Sequence, residues 1–208
     1  SLDKLNQLKN DLLASGHNAL AIKADVTSRS DMKAVAQAAL DTYGQIDVLI
    51  NNAGIMPLSF LKNMHEEEWE QMIDVNIKGV LNSISAVLPA MMEQKDGHIV
   101  NISSTAGIEV FASGVVYCGT KYAVEAITEG IRKELTIPFN IHATSIRPGA
   151  VETNLLSTVT DSEVMGGLEQ LKNTVKFLKS EDISKAIVFA VTQSPDVSID
   201  HMCIKPKN

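Results

Sequence analysis

Ile99-Val100-Asn101-Ile102-Ser103-Ser104-Thr105-Ala106-Gly107, nine further residues, and then Tyr117-Cys118-Gly119-Thr120-Lys121 form the stretch on which the fold turns. Its β-branched opening suits a strand, and two small hydroxyls close it. Thirteen residues after Ser104 comes Tyr117, with Lys121 at i+4. On a helix those two side chains share a face, about one turn apart. A free phenol titrates near about 10, too high for proton transfer near neutrality, and a neighbouring ammonium pulls it down. The plain alternative is a helix with a core tyrosine and a surface lysine.

Working outward, apolar spacing predicts helices over 2–15, closed by Gly16, and over 28–43, closed by Gly44. A short strand is expected at 18–25 between them. Residues 46–50 read as a strand buried on both sides, ending in the turn Asn51-Asn52-Ala53-Gly54. A long helix follows over 66–93, bent at Pro89 because proline lacks the donor for its i−4 bond. Then come a strand at 98–102, a helix at 113–136, a strand at 140–146 and Arg147-Pro148-Gly149. A polar, glycine-containing loop over 149–167, helices at 168–178 and 181–194, and a strand near 198–204 complete the chain.

This alternation predicts an α/β fold, a Rossmann-like doubly wound parallel sheet, as one domain over 1–208. Ligands of such sheets bind at the strands' carboxyl ends. Asp25, Asn51 to Gly54, Ser103 and Ser104, and Pro148 and Gly149 all fall at such ends.

Composition narrows the classes. An apolar fraction of 45% and a charged fraction of 21% are those of a soluble globular chain. A net charge of −7 argues against nucleic-acid and anionic-membrane partners. Two cysteines are too few for a disulfide framework, so a cytoplasmic location is expected. The five histidines are scattered, no pair has metal-ligand spacing, and no metal site is expected.

Other residues carry readings of their own. Asn76 lies inside a helix, where asparagine has low propensity; it is either solvent-facing or marks a kink that holds a water. Asn52, Ala53 and Gly54 let a ligand approach the backbone, or serve only as a turn. Asp25 is a neighbour of a helix cap, or it meets a ligand together with Val26.

Asn51-Asn52-Ala53-Gly54, Asn76, Ser104, Tyr117-x-x-x-Lys121 and Pro148-Gly149, in this order and spacing from Asp25 to Thr153, resemble the short-chain dehydrogenase/reductase family. The resemblance implies an NAD(P)-dependent oxidoreductase interconverting a secondary alcohol and a ketone. In that family's pattern Asn76 holds a relay water, Ser104 orients the substrate oxygen, Tyr117 is the acid/base, and Lys121 tunes it while binding the nicotinamide ribose. It implies adenine contacts at Asp25 and Val26, and adenosine-side contacts at Asn52, Ala53 and Gly54. Pro148, Gly149, Val151 and Thr153 would frame the nicotinamide carboxamide and a phosphate. The family's glycine-rich cofactor loop does not occur, the first glycine being Gly16. The pattern therefore expects a β-α-β unit before residue 1, about 35 to 45 residues long. Without it, strand 18–25 would be an orphan.

The C-terminal Ile199-Asp200-His201-Met202-Cys203-Ile204 is similar to endings of NADP-dependent members acting on small hydroxy acids, so NADP is preferred over NAD. The loop at about 154–180, with Leu155, Leu156, Val159, Val164, Met165, Leu168 and Leu171, is expected to cover a small-molecule alcohol or ketone. Family likeness implies a homodimer or homotetramer built on helices 66–93 and 113–136. The competing function is a dinucleotide-binding regulatory or scaffold protein that kept the fold and lost catalysis.

Overall fold

The computed structural model describes residues 2–167 and 175–207. Four parallel strands lie in the order of the chain: β1 (Val48–Asn51), β2 (Gly97–Ile102), β3 (Ile141–Pro148) and β4 (His201–Ile204). The register pairs Ile99 with Leu49 and Ala143, and Asn101 with Asn51 and Ser145. Parallel neighbours require crossovers, and helices supply them. The helices are α1 (Leu2–Ala14), α2 (Arg29–Tyr43), α3 (Glu66–Ile73), α4 (Gly79–Gln94), α5 (Val115–Phe139) and α6 (Ser180–Val191).

Period-two alternation along the strands divides the core into two layers. Ile99, Ile141 and Ala143 pack with Val80, Ile84, Val87 and Met91 of α4 and with Val124 and Ile131 of α5. Val100 and Ile146 point the other way, against Ile183 of α6. Gly97 permits the tight seat of Met91, since a Cβ there would lie 2.7 Å from its Sδ.

Three expectations need correction. Residues 18–25 join no β-ladder; among the described residues nothing lies beside them to accept strand hydrogen bonds. β1 is not buried on both faces, because it is the sheet edge: Val48 and Ile50 are 38% and 46% exposed while Asn51 is buried. The helix expected over 66–93 is interrupted, not at Pro89 but over Asp74–Lys78, where the backbone widens into a π-turn. The Gly79 amide bonds back to the Asp74 carbonyl, five residues earlier. This is a recognised cause of helix bending, and such turns concentrate at functional sites. The helix runs through Pro89 to Gln94.

Glu66–Gln94 is also the one run among the described residues long and apolar enough to cross a membrane, but its apolar face is folded onto the sheet. Most of the helix expected at 168–178 lies outside the described residues, and 175–179 is not helical. Gly44 closes α2 in the left-handed region at φ 84°, as expected, and Ser28 caps its start by accepting from the Asp31 amide.

Ile99 is fully buried at the centre of the α4–β2–α5 layer. Ile99→Ala is expected to cost about 2–5 kcal/mol, read from the urea midpoint; a loss under about 1 kcal/mol would contradict this packing.

Candidate active site

The carboxyl ends of β1, β2 and β3 open into a cleft of about 930 Å³. Asn52, Gly54, Ser104, Tyr117, Lys121, Pro148, Gly149, Val151 and Thr153 all line it. Ser104 lies two residues past the end of β2, and Tyr117 sits in the first turn of α5, buried at 5% exposure. The Ser104 hydroxyl accepts from the Ala106 amide at 3.1 Å and faces the Pro148 carbonyl at 3.4 Å. It thereby ties the end of β2 to the end of β3. The neighbouring Ser103 is buried, its Oγ lying where a Cβ on Gly107 would come within 2.7 Å.

Lys121 donates to the Ile102 carbonyl at 2.8 Å, and its Nζ lies 5.8 Å from the centre of the Tyr117 ring. Burial pushes the Lys121 ammonium down to about 8, with Glu125 acting against it. Burial likewise pushes the Tyr117 phenol up to about 12, opposed by the Ser104 hydroxyl. The net shift of the phenol is thus upward, opposite to the direction expected from a neighbouring ammonium alone. Desolvation disfavours phenolate more than this arrangement stabilises it.

Asn76 does not line the cleft but builds its wall. It is 1% exposed, inside the π-turn. Its Oδ1 accepts from the Ile55 amide at 2.9 Å, and its Nδ2 donates to the Ile55 carbonyl at 2.9 Å and to Thr120 Oγ1 at 3.1 Å. One carboxamide thus clamps the post-β1 loop, the π-turn and α5 together. A solvent-facing Asn76 is excluded. Gly54 passes so close that a Cβ would lie 3.3 Å from Asn76 Oδ1.

Ala53 lies beside the cleft without lining it, and Asp25 and Val26 lie outside it. Asp25 Oδ1 accepts from the Thr27 amide and hydroxyl, both at 2.8 Å. The Val26 carbonyl accepts from Asn82 at 2.9 Å, and its side chain covers Gly79. Both thus belong to the turn before α2. Among the described residues no cluster could hold a metal ion.

Comparison with known proteins follows the same lines. The short chain dehydrogenase family profile matches residues 1–164. The chain belongs to the short-chain dehydrogenase family. It is 45% identical to an uncharacterised oxidoreductase of Staphylococcus saprophyticus, over 100% of this chain and 83% of that one. It superposes on the serine dehydrogenase of Escherichia coli with a TM-score of 0.80 at 30% identity, covering 98% of this chain and 82% of that one. A closed form of serine dehydrogenase complexed with NADP+ gives 0.87 at 31% identity, over 97% and 80%. As a short-chain dehydrogenase, the protein is an NAD(P)-dependent oxidoreductase.

The residues present fit the nicotinamide end of such a cofactor. Gly54 and Gly149 put bare backbone on the cleft wall, each packed so closely on its neighbours that a Cβ would lie 3.3 Å from Asn76 Oδ1 or 3.2 Å from Pro206 Cδ. The cleft has the size of a small-molecule site.

Sequence reasoning missed several parts of this dehydrogenase site. Arg147 makes a two-pronged bond to Glu125, 3.0 Å from Nε to Oε1 and 2.7 Å from Nη2 to Oε2, and Ser145 donates to the same carboxylate at 2.6 Å. Glu125 follows Lys121 at i+4, so helical spacing from Tyr117 carried that signal. Asp161 is buried and holds the loop after β3, accepting from the Phe60 amide, from Asn63 Nδ2 at 2.7 Å, and from the Glu163 and Val164 amides. Its position just ahead of a helical turn was a cap signal.

Burial alone would raise the Glu125 carboxyl, but hydrogen bonding led by Arg147 outweighs it and holds it below the usual glutamate range. Its contribution is therefore complete above the unfolded glutamate value near about 4.3 and is lost as pH falls through the folded one. The urea midpoint is expected to drop on acidification through that window. The double replacement Glu125→Gln with Arg147→Met should flatten this part of the pH profile; an unchanged slope would contradict the assignment.

Proposed function

We propose that the protein interconverts a secondary alcohol and a ketone, with NADP or NAD as the hydride partner. The observation that carries this reading is the meeting of Ser104, Tyr117 and Lys121 in one cleft, with Tyr117 at its buried floor. Bound there, the nicotinamide supplies or accepts the hydride, while the protein supplies position and the proton. Gly54, Pro148, Gly149, Val151 and Thr153 would hold the nicotinamide half, with Asn52 toward the adenosine side.

The residues act in distinct ways. Tyr117, kept protonated near neutrality by burial, donates its proton to a ketone oxygen in reduction and takes it back in oxidation. Ser104 hydrogen-bonds that oxygen and holds it within reach of the phenol. Lys121 keeps a positive charge beside the ring, which favours the phenolate at the moment the proton leaves. Asn76 positions the wall and, through the carbonyl freed in the π-turn, holds a relay water behind Lys121. NADP is the preferred cofactor, in keeping with the serine dehydrogenase complex. The expected surroundings are the cytoplasm, and the expected assembly is a homodimer or homotetramer.

In the full-length protein, Tyr117→Phe is expected to lower kcat by about 10²–10⁴-fold with NADPH binding, followed by its fluorescence, nearly unchanged. Turnover retained in the variant would overturn the role of Tyr117. NADPH binding with no turnover of any alcohol or ketone by the wild type would instead support the regulatory alternative.

A further inference from the structure

We propose that the cleft selects neutral, apolar ketones and alcohols and rejects those that carry a carboxylate, an inference that rests on the oxidoreductase reading above. The wall around Tyr117 is built from Met56, Leu58, Phe60, Phe111, Leu155 and Val164. Leu58 and Val164 belong with Tyr117 to one buried apolar cluster, and Met56 and Phe60 pack against it. This wall is held in place before any ligand arrives. The Phe111 ring lies directly over Gly114, where a Cβ would come within 2.3 Å of its Cε2. Asp161 ties the Leu155–Val164 side to Phe60 and Asn63, and Thr158 accepts from the Met56 amide at 3.3 Å.

Charge points the same way. Among the described residues, only Lys121 and Glu163 of those lining the cleft are charged. Lys121 is committed to the Ile102 carbonyl, beside the phenol. A substrate carboxylate drawn to it would displace the reacting oxygen. Glu163 is an anion and already holds Lys62 at 2.9 Å. The start of α6, where Ser180 lines the cleft, would ordinarily attract an anion. There the first turn already carries the carboxylates of Glu181 and Asp182, and Asp182 accepts from the Lys179 amide at 3.0 Å. A carboxylate entering here loses its water and meets hydroxyl and amide groups but, among the described lining residues, no uncommitted cation, whereas an apolar body gains by leaving water.

A matched pair tests this in the full-length protein with NADPH and NADH: methyl 4-acetylbenzoate and 4-acetylbenzoate, which differ by the ester that removes the charge. The expected result is a kcat/KM for the ester at least about a hundredfold above that for the acid. Equal values, or a preference for the acid, would overturn the proposal. Calorimetric titration of the NADP-saturated protein with the same pair reads selectivity without turnover. Ester bound but not reduced upholds the selectivity and overturns the oxidoreductase reading; acid bound as tightly as ester overturns the selectivity; neither bound nor reduced overturns both. Leu155→Arg, which puts a cation into the wall, is expected to raise kcat/KM for the acid at least about tenfold and lower it for the ester.

Discussion

The Asn76 carboxamide is the contact on which the site depends. It satisfies both backbone groups of Ile55 and reaches Thr120, so three elements far apart in the chain meet at one side chain. Carrying that amide inward requires the helix to widen over Asp74–Lys78. A buried carboxamide with unmet partners is costly, so the clamp and the widened turn support one another. Gly54 completes it, since a larger residue would press on Asn76 Oδ1. The cleft wall is therefore tied together beside the candidate reactive groups.

Beside that wall, burial and charge compete. The phenol of Tyr117 rises to about 12 and the ammonium of Lys121 falls to about 8, each because its charged form loses water. The pair at rest is a neutral acid beside a weakened cation. That arrangement keeps a proton on the phenol at neutral pH, which in the proposed reaction would be given up as negative charge develops on a substrate oxygen. The Glu125–Arg147 pair behind it closes the gap between α5 and β3, and the Glu125 carboxylate favours the charge on Lys121.

Much of this was legible in the chain. The apolar runs ending at Ile50, Ile102 and Ile146 announced three strands followed by polar or turn-forming residues, and Tyr117 with Lys121 announced a shared helix face. The strand expected at 18–25 failed because a strand is defined by its neighbours, and pattern alone cannot provide them. Pro89 drew attention as a helix breaker, yet the helix yielded at Asp74–Lys78 instead. The demand came from Asn76's distant partners, not from local propensity. Asp161 and Phe111 went unnoticed as cleft-builders, since their roles consist of contacts across about a hundred residues or over a glycine.

By itself the sequence determined the alternation of helix and strand, the parallel sheet, and the choice of Ser104, Tyr117 and Lys121 as the candidate reactive groups. Periodicity and short spacing are properties of a local backbone, and local backbone geometry is written in neighbouring residues. Only the tertiary structure decided that Asn76 faces inward, that Asp25 and Val26 serve a turn outside the cleft, and that burial raises the phenol. Hydrogen-bond partners and desolvation arise from groups brought together in space, and no spacing along the chain contains them.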